Sequence, residues 1–191
     1  PGDKKHTLKN IKKLTSGSTP KTTKLVDDLY KDIIVAGTFK VDNIKIAEAA
    51  KVIENIQRDL NIALMNDIFI FCKRMNLNFK NILELAGTKW NFLKFNAGLV
   101  GGHCLPVDPY YLSYIAKKNN ISLETVLAGR SVNHKLKNFI FKQIRNKILD
   151  FNRKNKKKCR VLISGITYKK NVADIRNSYA LEIYLNLKKN F

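Results

Sequence analysis

The chain has 191 residues, 45% of them apolar and 27% charged, which excludes wholesale disorder and is enough for one domain or two small ones. Lys and Arg number 36 against 15 Asp and Glu, a formal charge of +21, which admits nucleic acid or an anionic surface as a partner. The cations are scattered, apart from the run Arg153–Lys158, and aromatics do not alternate with them as on a base-stacking platform, so no nucleic-acid partner is expected.

In chain order, Ile11–Thr15 reads as a short strand. Ser16-Gly17-Ser18-Thr19-Pro20 follows as a turn, with Thr19 as helix N-cap and Pro20 at the first helical position. Helix is predicted over Lys21–Lys31, then a buried strand at Ile33-Ile34-Val35-Ala36, closed by Gly37. Residues 43–75 hold no Gly or Pro and predict one long helix, with Ile46, Ala49, Ala50, Ile53, Ile56, Leu60, Ala63 and Leu64 in a stripe. Beyond Leu60 this helix reads as apolar almost all round, which implies burial on every side and hence a partner subunit or further domain. A helix near Asn81–Ala86 ends at Gly87, and a glycine-rich loop covers Phe95–Asp108. Another helix starts at Pro109 and a longer one covers Glu124–Phe151. Arg153–Lys158 reads as a solvated linker. Cys159–Gly165 reads as a strand, and Ser178 as the cap of a helix from Tyr179 to Lys189. The expected fold class is α/β: a mainly α-helical central domain flanked by partial Rossmann-like α/β units. The boundaries fall at 1–40, 41–156 and 157–191.

No apolar run is long enough to span a bilayer, and Pro1–His6 carries no apolar signal core, so no membrane association is expected. The sequence opens on Pro1 rather than Met, as expected of a processed product or a piece of a longer chain. Three widely spaced Cys make no disulfide framework, and a reducing cytoplasm fits them. No CxxC pair and only three His leave no metal site in prospect.

The densest chemical signal is Gly98-Leu99-Val100-Gly101-Gly102-His103-Cys104, with Asp108 four residues on. A thiol flanked by glycines can be approached closely, because glycine has no Cβ, and nearby cations raise its thiolate fraction. Read alone, the pattern equally suits a buried cysteine in a turn. Lys51 and Asn55 stand one helical turn apart, with Arg58 close to the same face. They can serve a developing oxyanion or form a solvated polar stripe. No GxGxxG dinucleotide fingerprint is present.

Three blocks, in order, resemble the UDP-glucose/GDP-mannose dehydrogenase family. Ala47-Glu48-Ala49-Ala50-Lys51-Val52-Ile53-Glu54-Asn55 is similar to its central-helix motif. Gly101-Gly102-His103-Cys104 with Asp108 is similar to its nucleophile loop. Ser164-Gly165-Ile166-Thr167-Tyr168-Lys169-Lys170, then Asp174-Ile175-Arg176-Asn177-Ser178, resembles the opening of its C-terminal domain. Thr88-Lys89-Trp90-Asn91-Phe92-Leu93 and Gly-Gly-His-Cys are closest to the branch acting on UDP-N-acetylhexosamines.

The resemblance implies oxidation of a sugar C6 alcohol to a carboxylate with NAD, in surface polysaccharide synthesis. Cys104 would carry the thiohemiacetal and thioester, and Lys51 would stabilise the oxyanion. Asn55 would hold a water or hydroxyl, with Asp108 assisting. Phe92, Leu93, Phe95, Gly98, Gly101, Arg58 and Lys169 would contact the UDP-sugar, and Arg176 the cofactor phosphates. A homodimer through the long helix is implied. So is inactivity of this stretch alone, since the family's glycine fingerprint and a Pro-Glu glutamate are not in it. Asn96-Ala97 and Val172-Ala173 depart from the common Arg-Pro and Cys-Pro. The alternatives are a UDP-glucose or UDP-N-acetylmannosamine dehydrogenase, or a dimerising fold without chemistry.

Overall fold

The computed structural model describes residues 6–191; the first five residues of the expected 1–40 unit lie outside them. The chain divides into two compact units, residues 1–54 and 55–191. Within the described residues there are six helices and one two-stranded sheet, an α/β architecture with a helical majority.

The first unit contains β1 (Lys13–Thr15), α1 (Pro20–Lys31), β2 (Thr38–Lys40) and the opening turns of α2 (Ile44–Arg74). The strands pair in parallel, Lys13 opposite Thr38 and Thr15 opposite Lys40, so a crossover is required and α1 supplies it. Thr19 caps α1, its hydroxyl accepting from the Thr22 amide at 3.1 Å, with Pro20 in the first turn, as expected. One buried carboxylate ties the unit together. Asp27 Oδ1 accepts from Thr15 Oγ1 at 2.6 Å and Thr38 Oγ1 at 2.7 Å, and Lys31 Nζ lies 2.6 Å from Oδ2. The strand expected at Ile33–Ala36 is instead a turn. The Ile33 and Ile34 amides donate back to Tyr30 O, and Gly37 has φ +81°. Ile34 is 2% exposed while Val35 is 82% exposed, so one anchor side chain accounts for the apolar run. The strand begins only beyond the left-handed glycine, at Thr38.

The second unit packs the remainder of α2 with α3 (Phe79–Ala86), α4 (Asp108–Lys118), α5 (Glu124–Asn155) and α6 (Tyr179–Asn190). A Cβ on Gly129 of α5 would lie 2.4 Å from Leu60 Cδ2 of α2, so the missing side chain permits the close approach of these two helices. Farther along α5, Ile148 packs with Ile183 and Leu187 of α6, joined by Leu99, Ile144, Cys159 and Ile163. Helix α5 runs to Asn155, with Lys156 in a left-handed cap at φ 49°, so half of the expected linker is helical. Cys159–Gly165 forms neither strand nor helix, and Gly165 has φ +89°. No second strand lies beside it among the described residues, and Leu162 is 90% exposed.

The long helix matches expectation in extent but not in its faces. Its buried face in this unit includes Asn55, Asp59 and Asn66 beside Ile56, Ala63, Met65 and Cys72. Leu64 and Phe71 are 55% and 56% exposed. Beyond Leu60 the helix is therefore not buried on every side within its own chain, and its buried face there includes the polar Asn66. Polar residues are drawn inward because facing helices offer hydrogen-bond partners.

Candidate active site

Asn55 and Asp108 are 53 residues apart in sequence and meet in space. Asn55, buried on α2, donates from Nδ2 to Asp108 Oδ2 at 2.6 Å. Asp108 opens α4, where a carboxylate complements the helix dipole. The turn that places it is closed by the Cys104 carbonyl, which accepts from the Val107 and Asp108 amides at 3.0 and 2.9 Å. The half-buried Cys104 thiol thus stands one tight turn before the Asn55–Asp108 pair.

The glycines before Cys104 are required by their neighbours. Gly102 has φ +91°, and a Cβ there would meet the Tyr168 ring at 2.9–3.2 Å; on Gly101 it would lie 2.7 Å from Asn177 O. Asn177 Nδ2 donates to Gly102 O at 3.0 Å. The block around Tyr168 and Asn177 therefore closes over the glycine loop. His103 is exposed and turns edge-on to Tyr168. Gly98 is different: nothing lies within 4 Å of its Cβ position, which leaves that side of the loop open to an approaching molecule.

Arg176 folds onto Asp174, Nη2 to Oδ2 at 2.7 Å and Nε to Oδ1 at 3.0 Å. These hydrogen bonds pull the Asp174 carboxyl down to about 2, against a smaller opposing effect of burial. Phe92 and Phe95 line a groove of about 460 Å³ with Phe79, Leu83 and Lys94. Leu93 is exposed, as are Arg58 on α2 and Lys169 on the 167–171 turn. Lys51 belongs to the first unit, where its ammonium pairs with Glu54.

Behind the loop runs a buried polar chain that the sequence reading missed. Arg130 Nη1 donates to Asp59 Oδ1 at 2.6 Å, as does Asn133 Nδ2 at 2.7 Å. Asn66 Nδ2 donates to Asn133 Oδ1 at 2.7 Å, and Asn66 bonds the Gly98 backbone. Burial pushes the Asp59 carboxyl above the usual carboxylate range, with Arg130 and Asn133 pulling the other way. The available signal was Asp59 and Asn66 spaced i, i+7 on one face of α2. Arg130, Asn133 and Lys137 repeat at i, i+3 and i+7 on α5.

The β1–α1 turn does not form a dinucleotide cradle. A Cβ on Gly17 would lie 2.5 Å from the Thr23 amide nitrogen, so this glycine closes onto its own helix. Thr19 already occupies the Thr22 amide. No helix among the described residues is long and apolar enough to cross a membrane.

Comparison with known proteins places these motifs. The central-domain model of the UDP-glucose/GDP-mannose dehydrogenase family matches residues 45–135. The chain is 49% identical over 187 residues to the UDP-N-acetyl-D-glucosamine 6-dehydrogenase of Pseudomonas aeruginosa, covering 98% of this chain and 44% of that one. It is also 49% identical over 189 residues to the enzyme of the same name from Salmonella typhi, covering 99% and 44%. It therefore spans less than half the length of these relatives. The solved structure of the UDP-N-acetyl-mannosamine dehydrogenase from Staphylococcus aureus superposes with a TM-score of 0.78 at 28% identity, over 95% of this chain and 40% of that one. The matched stretch holds both the α2 motif and the glycine loop that the Asn55–Asp108 bond joins, and the chain belongs to the UDP-glucose/GDP-mannose dehydrogenase family.

Proposed function

We propose that the chain is the catalytic-loop and dimerisation segment of a nucleotide-sugar 6-dehydrogenase that oxidises the C6 alcohol of a UDP-N-acetylhexosamine to the uronic acid. The observation that carries this reading is the Asn55–Asp108 hydrogen bond, 2.6 Å across 53 residues, with Cys104 one turn away. Two 49%-identical relatives named UDP-N-acetyl-D-glucosamine 6-dehydrogenase support the choice of sugar. The product would enter surface polysaccharide synthesis, in the cytoplasm. The domain reading proposed with it is a cofactor-domain end to residue 40, a central domain to 156, and the start of a UDP-binding domain, a finer division than the two compact units 1–54 and 55–191.

In this reading NAD, when bound, accepts hydride in both oxidations; the described residues do not form its cradle, and its steps lie outside them. What these residues do is hold the carbonyl stage. The Cys104 thiolate adds to the C6 aldehyde, forming a C–S bond while the carbonyl electrons move to oxygen. Lys51 stabilises that oxyanion. Asn55, oriented by Asp108, holds the water or hydroxyl beside it. Water later attacks the thioester carbonyl and Cys104 leaves as thiolate, giving the carboxylate. Phe92, Leu93, Phe95, Gly98, Gly101, Arg58 and Lys169 contact the UDP-sugar and Arg176 the cofactor phosphates, which requires Arg176 to exchange Asp174 for phosphate oxygens.

Two copies pair through α2, on which Leu64 and Phe71 are exposed and Phe71 lines a groove of about 670 Å³ with Ile68, Ile70, Phe139, Arg74 and Lys142. The test of the nucleophile is competitive alkylation of the native chain by iodoacetamide. Cys104 reacts faster than Cys72 and Cys159 if the reading holds, and equal rates at all three thiols would refute it.

A further inference from the structure

We infer that Asn66 and Asn177 are positioning residues for Cys104, pinning the two ends of the Gly98–Gly102 segment that leads into it. The inference rests on the reading of Cys104 as nucleophile. At one end Asn66, fully buried on α2, grips Gly98 twice. The Gly98 amide donates to Asn66 Oδ1 at 2.8 Å, and Asn66 Nδ2 donates to Gly98 O at 3.1 Å. At the other end Asn177 Nδ2 donates to Gly102 O at 3.0 Å. Asn177 has φ +52°, a conformation that Asn adopts more readily than most residues. Two residues later the Cys104 carbonyl is held by the amides of Val107 and Asp108. The thiol thus has little slack relative to the Asn55–Asp108 pair.

The polar chain behind Asn66 sets the direction of its amide. Asp59 Oδ1 takes donors from both Arg130 and Asn133, so Asn133 presents its nitrogen there and keeps its oxygen for Asn66. Asn66 must then turn Nδ2 toward Asn133 and Gly98 O, which leaves Oδ1 for the Gly98 amide. A flipped Asn66 would set its oxygen against two acceptors. Asp59 thereby orients, through two amides, a loop that it does not touch.

Asn177→Gly tests the exposed end, because it keeps the left-handed backbone and removes only the amide. Asn66→Asp tests the buried end by setting a carboxylate against the Gly98 and Asn133 oxygens. In each variant of the 191-residue chain, hydrogen exchange across residues 98–104 and iodoacetamide alkylation of all three cysteines are followed. The expected result is at least about tenfold faster exchange in the segment and at least about threefold faster alkylation of Cys104. Cys72, 1% exposed on α2, keeps its rate. Unchanged exchange and alkylation would overturn the inference. So would equal acceleration of Cys72 and Cys104, which marks a merely structural role. Should Asn66→Asp not fold, Asn177→Gly decides alone. The unaltered chain separately tests the nucleophile reading, so failure of the clamp leaves that reading standing and the two failures are told apart.

Discussion

At the scale of single residues, the site depends on side chains whose partners are distant in sequence. Asp108 is the acceptor for a buried Asn55 amide, and Asp108→Ala leaves that amide unsatisfied at a cost of about 1–3 kcal/mol. In an active dehydrogenase containing this chain, Asp108→Asn should retain the fold and lower kcat by about 10²-fold, with KM little changed. A kcat within twofold of the unaltered enzyme would remove Asp108 from the chemistry. Gly102→Ala combines a positive φ with contact to the Tyr168 ring and should destabilise by about 1–3 kcal/mol in urea unfolding. Of the candidate site, the Cys104 loop, Asp108 and Asn55 were picked out in the sequence because each sits in a dense local motif, and the structure joins Asn55 to Asp108. Asp59, Asn66, Arg130 and Asn133 were not. Each reads as a surface residue until the helix opposite is known, and their burial follows from mutual hydrogen bonding.

At the scale of elements, helices were legible and strands only in part: the stretch Ile11–Thr15 holds β1 at Lys13–Thr15, while β2 at Thr38–Lys40 was missed. The extents of α2, α5 and α6 follow from periodicity and from caps such as Ser178, whose Oγ accepts from the Leu181 amide at 3.2 Å. The apolar runs at Ile33–Ala36 and Cys159–Gly165 look like strands, but a strand exists only where a neighbour pairs with it. Pairing in the first unit is reinforced by Asp27, whose carboxyl is held well below the usual 3.8 by Lys31, Thr15 and Thr38. A depressed carboxylate stabilises the fold fully above the unfolded value and progressively less as pH falls below it. The first unit should therefore lose stability in acid below about pH 4, and Asp27→Asn should remove that acid-dependent portion. Thermal melts between pH 2 and 6 that overlay after subtraction of a constant would contradict this. In the second unit, Leu136→Ala on the buried face of α5 should cost about 2–5 kcal/mol, read from the shift in urea midpoint.

At the scale of the whole molecule, the family's central-domain match spans the α2 face proposed to pair two copies. The proposed pairing through α2 puts different demands on its buried and exposed residues. Ala63 is buried within its own chain, so a charge there unfolds the protein rather than splitting a dimer. Leu64 and Phe71 face outward. The double variant Leu64→Glu/Phe71→Glu should therefore remain helical by circular dichroism and run as a monomer in light scattering, while the unaltered chain runs as a dimer. A monomeric unaltered chain would exclude pairing through α2. The net charge of +21 suits the doubly anionic nucleotide sugar of the proposed reaction. The most direct test of the central claim is Cys104→Ala in a dehydrogenase containing this chain, supplied with NAD and UDP-N-acetylglucosamine and followed by NADH absorbance and by mass spectrometry of the sugar. Retained substrate binding with no uronic acid formed is expected; acid production at a rate comparable to that of the unaltered enzyme would contradict the role of Cys104 as nucleophile.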